Sequence, residues 1–239
     1  MDARRHCFPT PQLAAEGCAR HVGSLIEETF AEQSRATLAV SGGNTPKLLF
    51  EHLAVSSLPW DRVHVFWVDE RAVSPADPRS NYRLAEESLI HPARIPERNV
   101  HRIHGEWTPD LAARRYAGEL REFFGLSEGE MPVFDVILCG MGSDAHTASL
   151  FPGEPAILDR ERIAAAVRVT KLPQSRITLL PGPLLAARHL VFLVTGADKA
   201  EAVRAVFQEP PDPLKRPAQL VRDRRTTWFL DDAAASLLE

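Results

Sequence analysis

Residues 36–54, ATLAVSGGNTPKLLFEHLA, join a short apolar run to an amphipathic helical pattern through a loop that contains two glycines. The run at residues 36–40 is typical of a buried strand, and Thr45 and Pro46 suit the N-cap and the first position of the following helix. A strand that leads through a tight loop into a helix is the first half of a βαβ unit. This segment therefore predicts an α/β fold with a parallel sheet.

Short apolar runs and longer amphipathic patterns alternate along the rest of the chain. Further strands are predicted at residues 63–68, 99–103, 134–139, 163–169, 176–180, 190–195 and 226–230. Helices are predicted at residues 12–35, 46–54, 81–90, 109–124, 183–188, 197–207 and 231–238. The proline-rich stretch QEPPDPLKRP, residues 208–217, is predicted to cross the surface as a linker. We expect one domain over residues 1–239, built as a doubly wound, mostly parallel sheet with helices on both faces and modified from the Rossmann arrangement.

Composition and charge narrow the class of protein. The chain has 239 residues, of which 44% are hydrophobic, and a formal charge of −4, which does not favour binding to nucleic acid or to an anionic membrane surface. No apolar run approaches the ~18 residues that a membrane span needs. The first residues lack the apolar run of a secretory signal, and the 3 cysteines form no disulfide or metal pattern. We expect a cytoplasmic protein, a monomer or small homo-oligomer, that binds neither nucleic acid nor membranes.

The loop SGGNTP, residues 41–46, is a candidate anion site. Two glycines allow backbone N–H groups to approach a ligand closely, and a helix N-terminus favours negative charge. Two alternatives stay open: a plain glycine turn, and the nucleophile elbow of serine esterases, which AVSGG at residues 39–43 nearly matches. An elbow runs almost directly into its helix, whereas the helix predicted here starts some residues after Ser41.

The loop after the predicted strand 134–139 reads GMGSDAHT, residues 140–147, and carries a candidate general base. Asp144 and His146 are close enough in sequence to place a carboxylate beside an imidazole, which is a suitable base near neutral pH. The alternative is an ordinary surface or capping histidine. The same loop resembles a dinucleotide fingerprint, but no acidic residue ends a clear strand about twenty positions further on.

Charged residues follow two other predicted strands. Asp69 and Arg71, within DER at residues 69–71, either solvate the strand end or line a ligand crevice, where Arg71 could fork onto a phosphate or carboxylate. Lys199 lies in the first turn of a predicted helix, where a cation is unfavourable unless an anion is near; the alternative is an exposed, solvated lysine. His101 and His104 are predicted to lie on opposite faces of an extended segment, so we expect no metal site.

The segments SGGNTP, VDERAV with SNY downstream, GMGSDAHTASLFPG, RITL and GADKAEAV resemble the glucosamine-6-phosphate isomerase/6-phosphogluconolactonase family. They occur in the family's order and span nearly the whole chain, and HTASLFPG with DER favours the lactonases over the deaminases. The resemblance implies hydrolysis of 6-phospho-D-glucono-1,5-lactone by a base-activated water, a step of the oxidative pentose phosphate pathway, without metal, cofactor or covalent intermediate. The alternatives are a sugar-phosphate isomerase or deaminase acting on glucosamine 6-phosphate, and a non-catalytic sugar-phosphate sensor.

The resemblance also implies roles for single residues. The expected catalytic residues are His146, which is the base, Asp144 and Arg71. The residues expected to bind the phosphate or the rest of the substrate are Ser41, Gly42, Gly43, Thr45, Asp69, Asn81, Arg176 and Lys199. Ala145 departs from the family's usual D-G-H; if this position requires a positive φ, alanine strains the turn by ~1–2 kcal/mol.

Overall fold

Seven strands form the central sheet of the computed structural model, which describes residues 3–168, 174–223 and 225–239, the side chain of Asn44 excepted. The sheet has the order β1-β10-β9-β6-β2-β3-β5, and all neighbouring strands in it are parallel. Its strands are β1 (Arg4–Phe8), β2 (Ala36–Val40), β3 (Val63–Trp67), β5 (Val100–His101), β6 (Val136–Cys139), β9 (His189–Val194) and β10 (Thr226–Asp231). The prediction of a mostly parallel, doubly wound sheet is confirmed.

A second, antiparallel sheet has three strands, β4 (Asp69–Arg71), β8 (Arg176–Leu179) and β7 (Ala164–Val167), in the order β4-β8-β7. The chain passes from one sheet to the other at Val68, whose N–H donates to Val40 O in the first sheet while its carbonyl accepts from Leu179 N in the second. The strands predicted at residues 163–169 and 176–180 therefore do not join the parallel sheet. Val169, at the end of the first of these, lies outside the described residues.

Six α-helices of the described residues lie between strands and a seventh follows the last strand: α1 (Pro11–Thr29), α2 (Asn44–Ala54), α3 (Asn81–Ala85), α4 (Pro109–Phe124), α5 (Pro181–Ala186), α6 (Ala200–Gln208) and α7 (Asp232–Ala235). The helix predicted at residues 81–90 changes after α3 into a π-helix, Glu86–Ile90. No helix within the described residues has both the length and the apolar character that crossing a membrane requires.

Strand β1 was not predicted from the sequence, because RRHCF has no apolar alternation. Four of its five residues are exposed, and it forms at the edge of the sheet by parallel pairing with β10. The core lies on the inner strands instead. Its largest fully buried side chains include Trp67, Trp228 and Phe192, each of which contributes roughly 1.5–3 kcal/mol or more to folding through burial.

Four neighbouring strands of the parallel sheet, β9, β6, β2 and β3, end at the same edge. Their carboxyl ends lead into the loop after Val194, the loop after Cys139, the glycine loop after Val40, and β4. Parallel strands bring such loops together even when they are far apart in sequence. The fold thus assembles all four of the candidate segments at one edge of the sheet.

Candidate active site

A cleft of about 430 Å³ opens at this edge of the sheet. Eight of the residues predicted to form the site line it: Ser41, Gly42, Gly43, Thr45, Asp69, Arg71, His146 and Lys199. Asp144, Asn81 and Arg176 do not line it. Further lining residues that were not predicted are Pro46, Gly140, Met141, Gly142, Ala148, Leu193, Val194, Thr195 and Asp198.

The glycine loop brings the N-terminus of α2 to the cleft. Helix α2 begins at Asn44, and its N-cap is Gly43, at φ 119° and without a side-chain capping hydrogen bond. The prediction that Thr45 is the N-cap is wrong, because Gly43 takes a conformation that other residues rarely adopt and the helix starts earlier. The uncapped N–H groups of this first turn leave the helix N-terminus suited to an anion.

Gly42 is required by the close approach of Asn81. A Cβ atom added at Gly42 would lie 1.8 Å from Asn81 Oδ1, so no larger residue fits without a shift. Ser41, next to it, is buried and donates a hydrogen bond to Leu138 O at 2.9 Å. That bond directs the hydroxyl hydrogen of Ser41 towards the neighbouring strand β6. The hydroxyl oxygen can still accept a hydrogen bond from a ligand.

Asp69 is held in a fixed orientation at the wall of the cleft. Asn81 Nδ2 donates to its carbonyl at 2.8 Å and to Oδ1 at 3.1 Å, and Ser149 Oγ donates to Oδ2 at 2.6 Å. Asn81 therefore lies behind the cleft wall, where it contacts two residues that line the cleft, Asp69 and Gly42. An ionised carboxylate accepts hydrogen bonds and repels anions, so Asp69 suits hydroxyl groups.

Glu70 ties β4 to the start of α3, a role that sequence reasoning missed. Its buried carboxylate accepts from the backbone N–H groups of Arg71 and Asn81 at 2.7 Å and Tyr82 at 2.8 Å, and from Ser80 Oγ at 3.0 Å. Burial raises the pKa of Glu70, and these four hydrogen bonds oppose that shift. A sequence signal for this role exists, because a glutamate that closely follows a buried apolar strand needs hydrogen-bond partners if it is buried as well.

Arg71 and Arg176 lie opposite each other on β4 and β8. Arg71 Nη1 donates to Arg79 O at 2.5 Å, and its buried Nε has no hydrogen-bond partner among the described residues. Arg176 Nη1 donates to Gln174 O at 2.9 Å. Burial, followed by the neighbouring Arg71 guanidinium, lowers the pKa of Arg176. The two like charges make this side of the cleft favourable for an anion.

His146 and Asp144 form the pair that their spacing suggested. His146 Nδ1 and Asp144 Oδ1 are 2.6 Å apart, and the same oxygen accepts from the His146 backbone N–H at 3.1 Å. Because a carboxylate only accepts, Nδ1 carries the hydrogen and Nε2 keeps the lone pair. Burial raises the pKa of Asp144, but its hydrogen bonds with His146 outweigh burial and hold the pKa below its usual value.

The turn around His146 contains two alanines with left-handed backbone conformation, Ala145 at φ 63° and Ala148 at φ 53°. The condition stated for strain at position 145, a positive φ, is therefore met. The histidine ring still lies in the cleft, packed 4.3 Å from the Phe151 ring. Gly142 makes room for it, since a Cβ there would lie 2.1 Å from His146 Nδ1.

The loop after β9 contributes Thr195 and Lys199. Thr195 Oγ1 lies 3.1 Å from Thr45 Oγ1, so two hydroxyls face each other beside the α2 N-terminus. Lys199 ends a short 3-10 turn and is the N-cap residue of α6; its Nζ lies 3.1 Å from Asp198 Oδ2. Thr195 was missed in the sequence, although a hydroxyl residue between a strand end and Gly196 is the signal that would have found it.

The cleft is lined by a helix N-terminus, two hydroxyls, one lysine and one arginine, which suit an anion, and by the imidazole of the His146–Asp144 pair. Such a site can hold an anionic group and take a proton from a water or hydroxyl nearby. Within the part of the chain that the structure describes, no three His, Cys, Asp or Glu side chains converge in a set that could hold a metal ion.

Known proteins are similar to this chain in sequence and in fold. Residues 9–229 match the family of glucosamine-6-phosphate isomerases/6-phosphogluconolactonase. The chain is 40% identical over 230 residues to a 6-phosphogluconolactonase from Synechocystis, with 95% of each protein covered. The structure of 6-phosphogluconolactonase from Trypanosoma cruzi is similar with a TM-score of 0.87 and 25% identity, over 99% of this chain and 97% of that one.

A monomeric glucosamine-6-phosphate deaminase shares the fold, with a TM-score of 0.81 and 20% identity over 98% of this chain and 99% of that one. The fold alone is thus common to lactonases and deaminases. In sequence, this chain is more similar to the 6-phosphogluconolactonase from Synechocystis, at 40% identity, than to the deaminase, at 20%. This chain belongs to the glucosamine-6-phosphate isomerase/6-phosphogluconolactonase family.

Proposed function

We propose that this protein hydrolyses 6-phospho-D-glucono-1,5-lactone to 6-phospho-D-gluconate, the lactonase step of the oxidative pentose phosphate pathway. The observation that carries the proposal is that the His146–Asp144 pair shares one cleft with the glycine loop and Lys199. A phosphate-binding loop and a base within one small cleft match a substrate that carries both a phosphate and a lactone carbonyl.

The phosphate binds at the start of α2. A sugar phosphate is mostly dianionic at pH 7, and the uncapped N–H groups of the first helical turn and the Lys199 ammonium attract it. Ser41, Gly42, Gly43 and Thr45 supply the backbone and hydroxyl groups around it, joined by Thr195. Binding energy from this remote group orients the carbonyl towards the reacting water.

His146 acts as the general base. Its Nε2 takes a proton from a water as the water oxygen attacks the lactone carbonyl carbon, while Asp144 keeps the ring in the required tautomer and stabilises the imidazolium. Arg71 stabilises the negative charge that develops on the carbonyl oxygen. The tetrahedral intermediate then breaks the bond between the carbonyl carbon and the ring oxygen, and the ring oxygen takes up the proton held by His146.

Three further residues contribute to the substrate site: Asp69 directly, Asn81 through Asp69, and Arg176 from beside Arg71. Asp69 accepts hydrogen bonds from sugar hydroxyls, since an anionic carboxylate does not suit the phosphate. Asn81 holds Asp69 in place through its Nδ2 atom. Arg176 adds positive charge beside Arg71.

The competing activity is isomerisation and deamination of glucosamine 6-phosphate, which the same fold supports in a relative at 20% identity. It is less well supported, because relatives at 31–40% identity over nearly the whole chain are named as 6-phosphogluconolactonases. Release of ammonia from glucosamine 6-phosphate distinguishes the two reactions. We further propose a single domain over residues 1–239, a cytoplasmic location and a monomeric or small homo-oligomeric state.

The direct test follows acid release from freshly made 6-phosphoglucono-δ-lactone against the uncatalysed background. His146→Ala removes the base and should lower kcat by ~10²–10⁴ while far-UV circular dichroism stays native. His91→Ala, at an exposed histidine far along the chain from the candidate loops, is the matched control and should keep full activity. Full activity in His146→Ala would refute the assignment of the base.

A further inference from the structure

The proline-rich stretch predicted as a linker, residues 208–217, is fastened to the body of the protein together with the residues that follow it, and residues 209–222 are called the proline-rich segment from here on. The side chain of Arg216 is only 9% exposed; its Nη1 lies 2.6 Å from Glu209 Oε2, and its Nη2 donates to Pro210 O at 2.8 Å. A buried, two-pronged arginine of this kind holds both ends of a loop together.

The segment is also anchored to the end of α6. Gln219 Nε2 donates to Ala205 O and Val206 O, both at 3.3 Å, and Arg222 Nη1 donates to Val206 O and Phe207 O, both at 2.8 Å. These side chains satisfy carbonyl groups that a helix C-terminus leaves without partners. Lys199 is the N-cap residue of α6, so the segment is tied to the helix that directly follows the candidate phosphate-binding lysine.

Two backbone hydrogen bonds join the same segment to the loop that carries His146. Ala218 N donates to Ala145 O at 3.0 Å, and Gly153 N donates to Leu214 O at 2.8 Å. Ala145 is the residue directly before His146 and is in the left-handed conformation. A strained backbone persists only where its surroundings hold it, and the Ala218 N–H is one of the groups that do so.

We propose that the proline-rich segment positions His146 in the cleft and that Arg216 is the positioning residue. The inference rests on the proposed function for its kinetic consequence. Arg216 fixes the segment, the segment holds Ala145 through Ala218, and Ala145 sets the direction from which the His146 ring enters the cleft. The same segment keeps the histidine loop in register with α6 and Lys199.

Arg216→Met tests this, because it removes the fork to Glu209 and Pro210 with little change in volume. Small displacements of a catalytic group cost up to ~10²-fold in rate, so kcat should fall roughly tenfold or more with KM changed less than about twofold. Arg204→Met is the matched control: Arg204 pairs with Glu201 on its own helix and with Glu209, both at 3.2 Å, but it has no described bond to residues 210–222, so its loss should leave kcat unchanged.

A double-mutant cycle separates positioning from general destabilisation. In the His146→Ala background, Arg216→Met should change the remaining rate less than about twofold, because the residue through which it acts is gone. An equal fall of kcat in both backgrounds overturns the proposal, as does unchanged kcat in folded Arg216→Met. Arg216→Lys, which keeps the charge but not the fork, replaces the methionine variant if that variant does not fold, with a smaller fall in kcat expected.

A measurement that needs no activity distinguishes failure of this inference from failure of the proposed function. The imidazole ¹H–¹³C NMR signals of His146, assigned by their absence in His146→Ala, should shift in Arg216→Met and not in Arg204→Met. Absent lactonase activity in the wild-type protein would refute the function alone. His146 signals that do not move in Arg216→Met would refute the positioning role whatever the activity.

Discussion

At the scale of single residues, the geometry of the site depends on positions where a single side-chain carbon decides whether the backbone is strained. Ala145 shows this most directly, because its φ of 63° is one that alanine adopts at a cost of ~1–2 kcal/mol. The turn keeps that conformation and still delivers His146 to Asp144 at 2.6 Å. The chain therefore holds this turn with an alanine in a backbone conformation that favours glycine.

Ala145→Gly tests the strain through stability. It should leave the free energy of unfolding about 2 kcal/mol higher than Ala113→Gly does, because glycine relieves strain at 145 but costs ~1 kcal/mol in the helix interior at 113. The two alanines are equally suited to the comparison, with 2% and 4% exposure, so each change removes one buried methyl group. Urea unfolding measures both; equal losses of stability would mean that residue 145 is not strained.

Lys199→Ala tests the phosphate site. A charge-assisted hydrogen bond is worth ~1.5–3 kcal/mol, so KM for the lactone should rise roughly 10- to 100-fold while kcat changes little. Lys47→Ala is the control, since Lys47 is exposed in α2, pairs with Glu51 at 3.9 Å and is not among the described residues that line the cleft. A KM that Lys199→Ala leaves at the wild-type value would remove this lysine from the site.

At the scale of elements, the short strand β4 and the start of α3 act as one unit. Glu70 joins them through four hydrogen bonds, and Asn81, at the first position of α3, then holds Asp69. The length of β4 is only three residues, so pairing with β8 alone gives it little independent stability. The buried carboxylate is what fixes this part of the cleft wall.

Glu70→Gln should therefore destabilise the protein although it is nearly isosteric. The amide that replaces one carboxylate oxygen cannot accept from Ser80 Oγ or the Tyr82 N–H, and an unsatisfied buried donor costs ~1–3 kcal/mol. Glu87→Gln, on the exposed side of the neighbouring turn, should stay within about 0.5 kcal/mol. Thermal and urea unfolding of both variants provide the measurement, and equal stabilities would contradict the role of Glu70.

At the scale of the whole molecule, a chain of side chains links the far edge of the sheet to α4. His64 Nδ1 lies 2.9 Å from His101 Nε2, and His101 Nδ1 lies 2.8 Å from Glu119 Oε1. Burial lowers the pKa of His64 to about 4, and the neighbouring His101, Arg35 and Arg98 add to the shift. Folding therefore favours the neutral form of this ring.

The stability of the fold should accordingly depend on pH. With a folded pKa of about 4 and an unfolded pKa near 6.5, the unfolded chain binds more protons in this window. The contribution of His64 is present above pH ~6.5 and is lost as the pH falls towards 4. Screening at the half-exposed ring keeps its slope below the ~1.4 kcal/mol per pH unit of one full proton.

His64→Gln isolates this contribution. Its free energy of unfolding, measured in urea at pH 7 and pH 5, should fall less on acidification than that of the wild-type protein. His91→Gln, at an exposed histidine, should follow the wild-type curve. Parallel pH dependence in all three proteins would show that His64 titrates normally in the folded state.

The sequence by itself determined which segments are strands and helices in the interior, because hydrophobic periodicity directly reflects burial. Strand β2 and helix α4 occur at the predicted residues, and the candidate loops follow strand ends as expected. Pairing of Asp144 with His146 was also predictable, since both belong to one short turn.

Only the tertiary structure decided what depends on contacts between distant segments. Strand β1 exists because β10 pairs with it, and the strands after residue 163 form their own sheet because Val68 carries the chain out of the first one. The positions of Thr195 and the proline-rich segment depend on partners far along the chain, among them Thr45 and Ala145, and the local pattern does not identify those partners. Local periodicity indicates which residues are buried. Strand register, the sheet to which a strand belongs and the partner of each long-range hydrogen bond are set by packing.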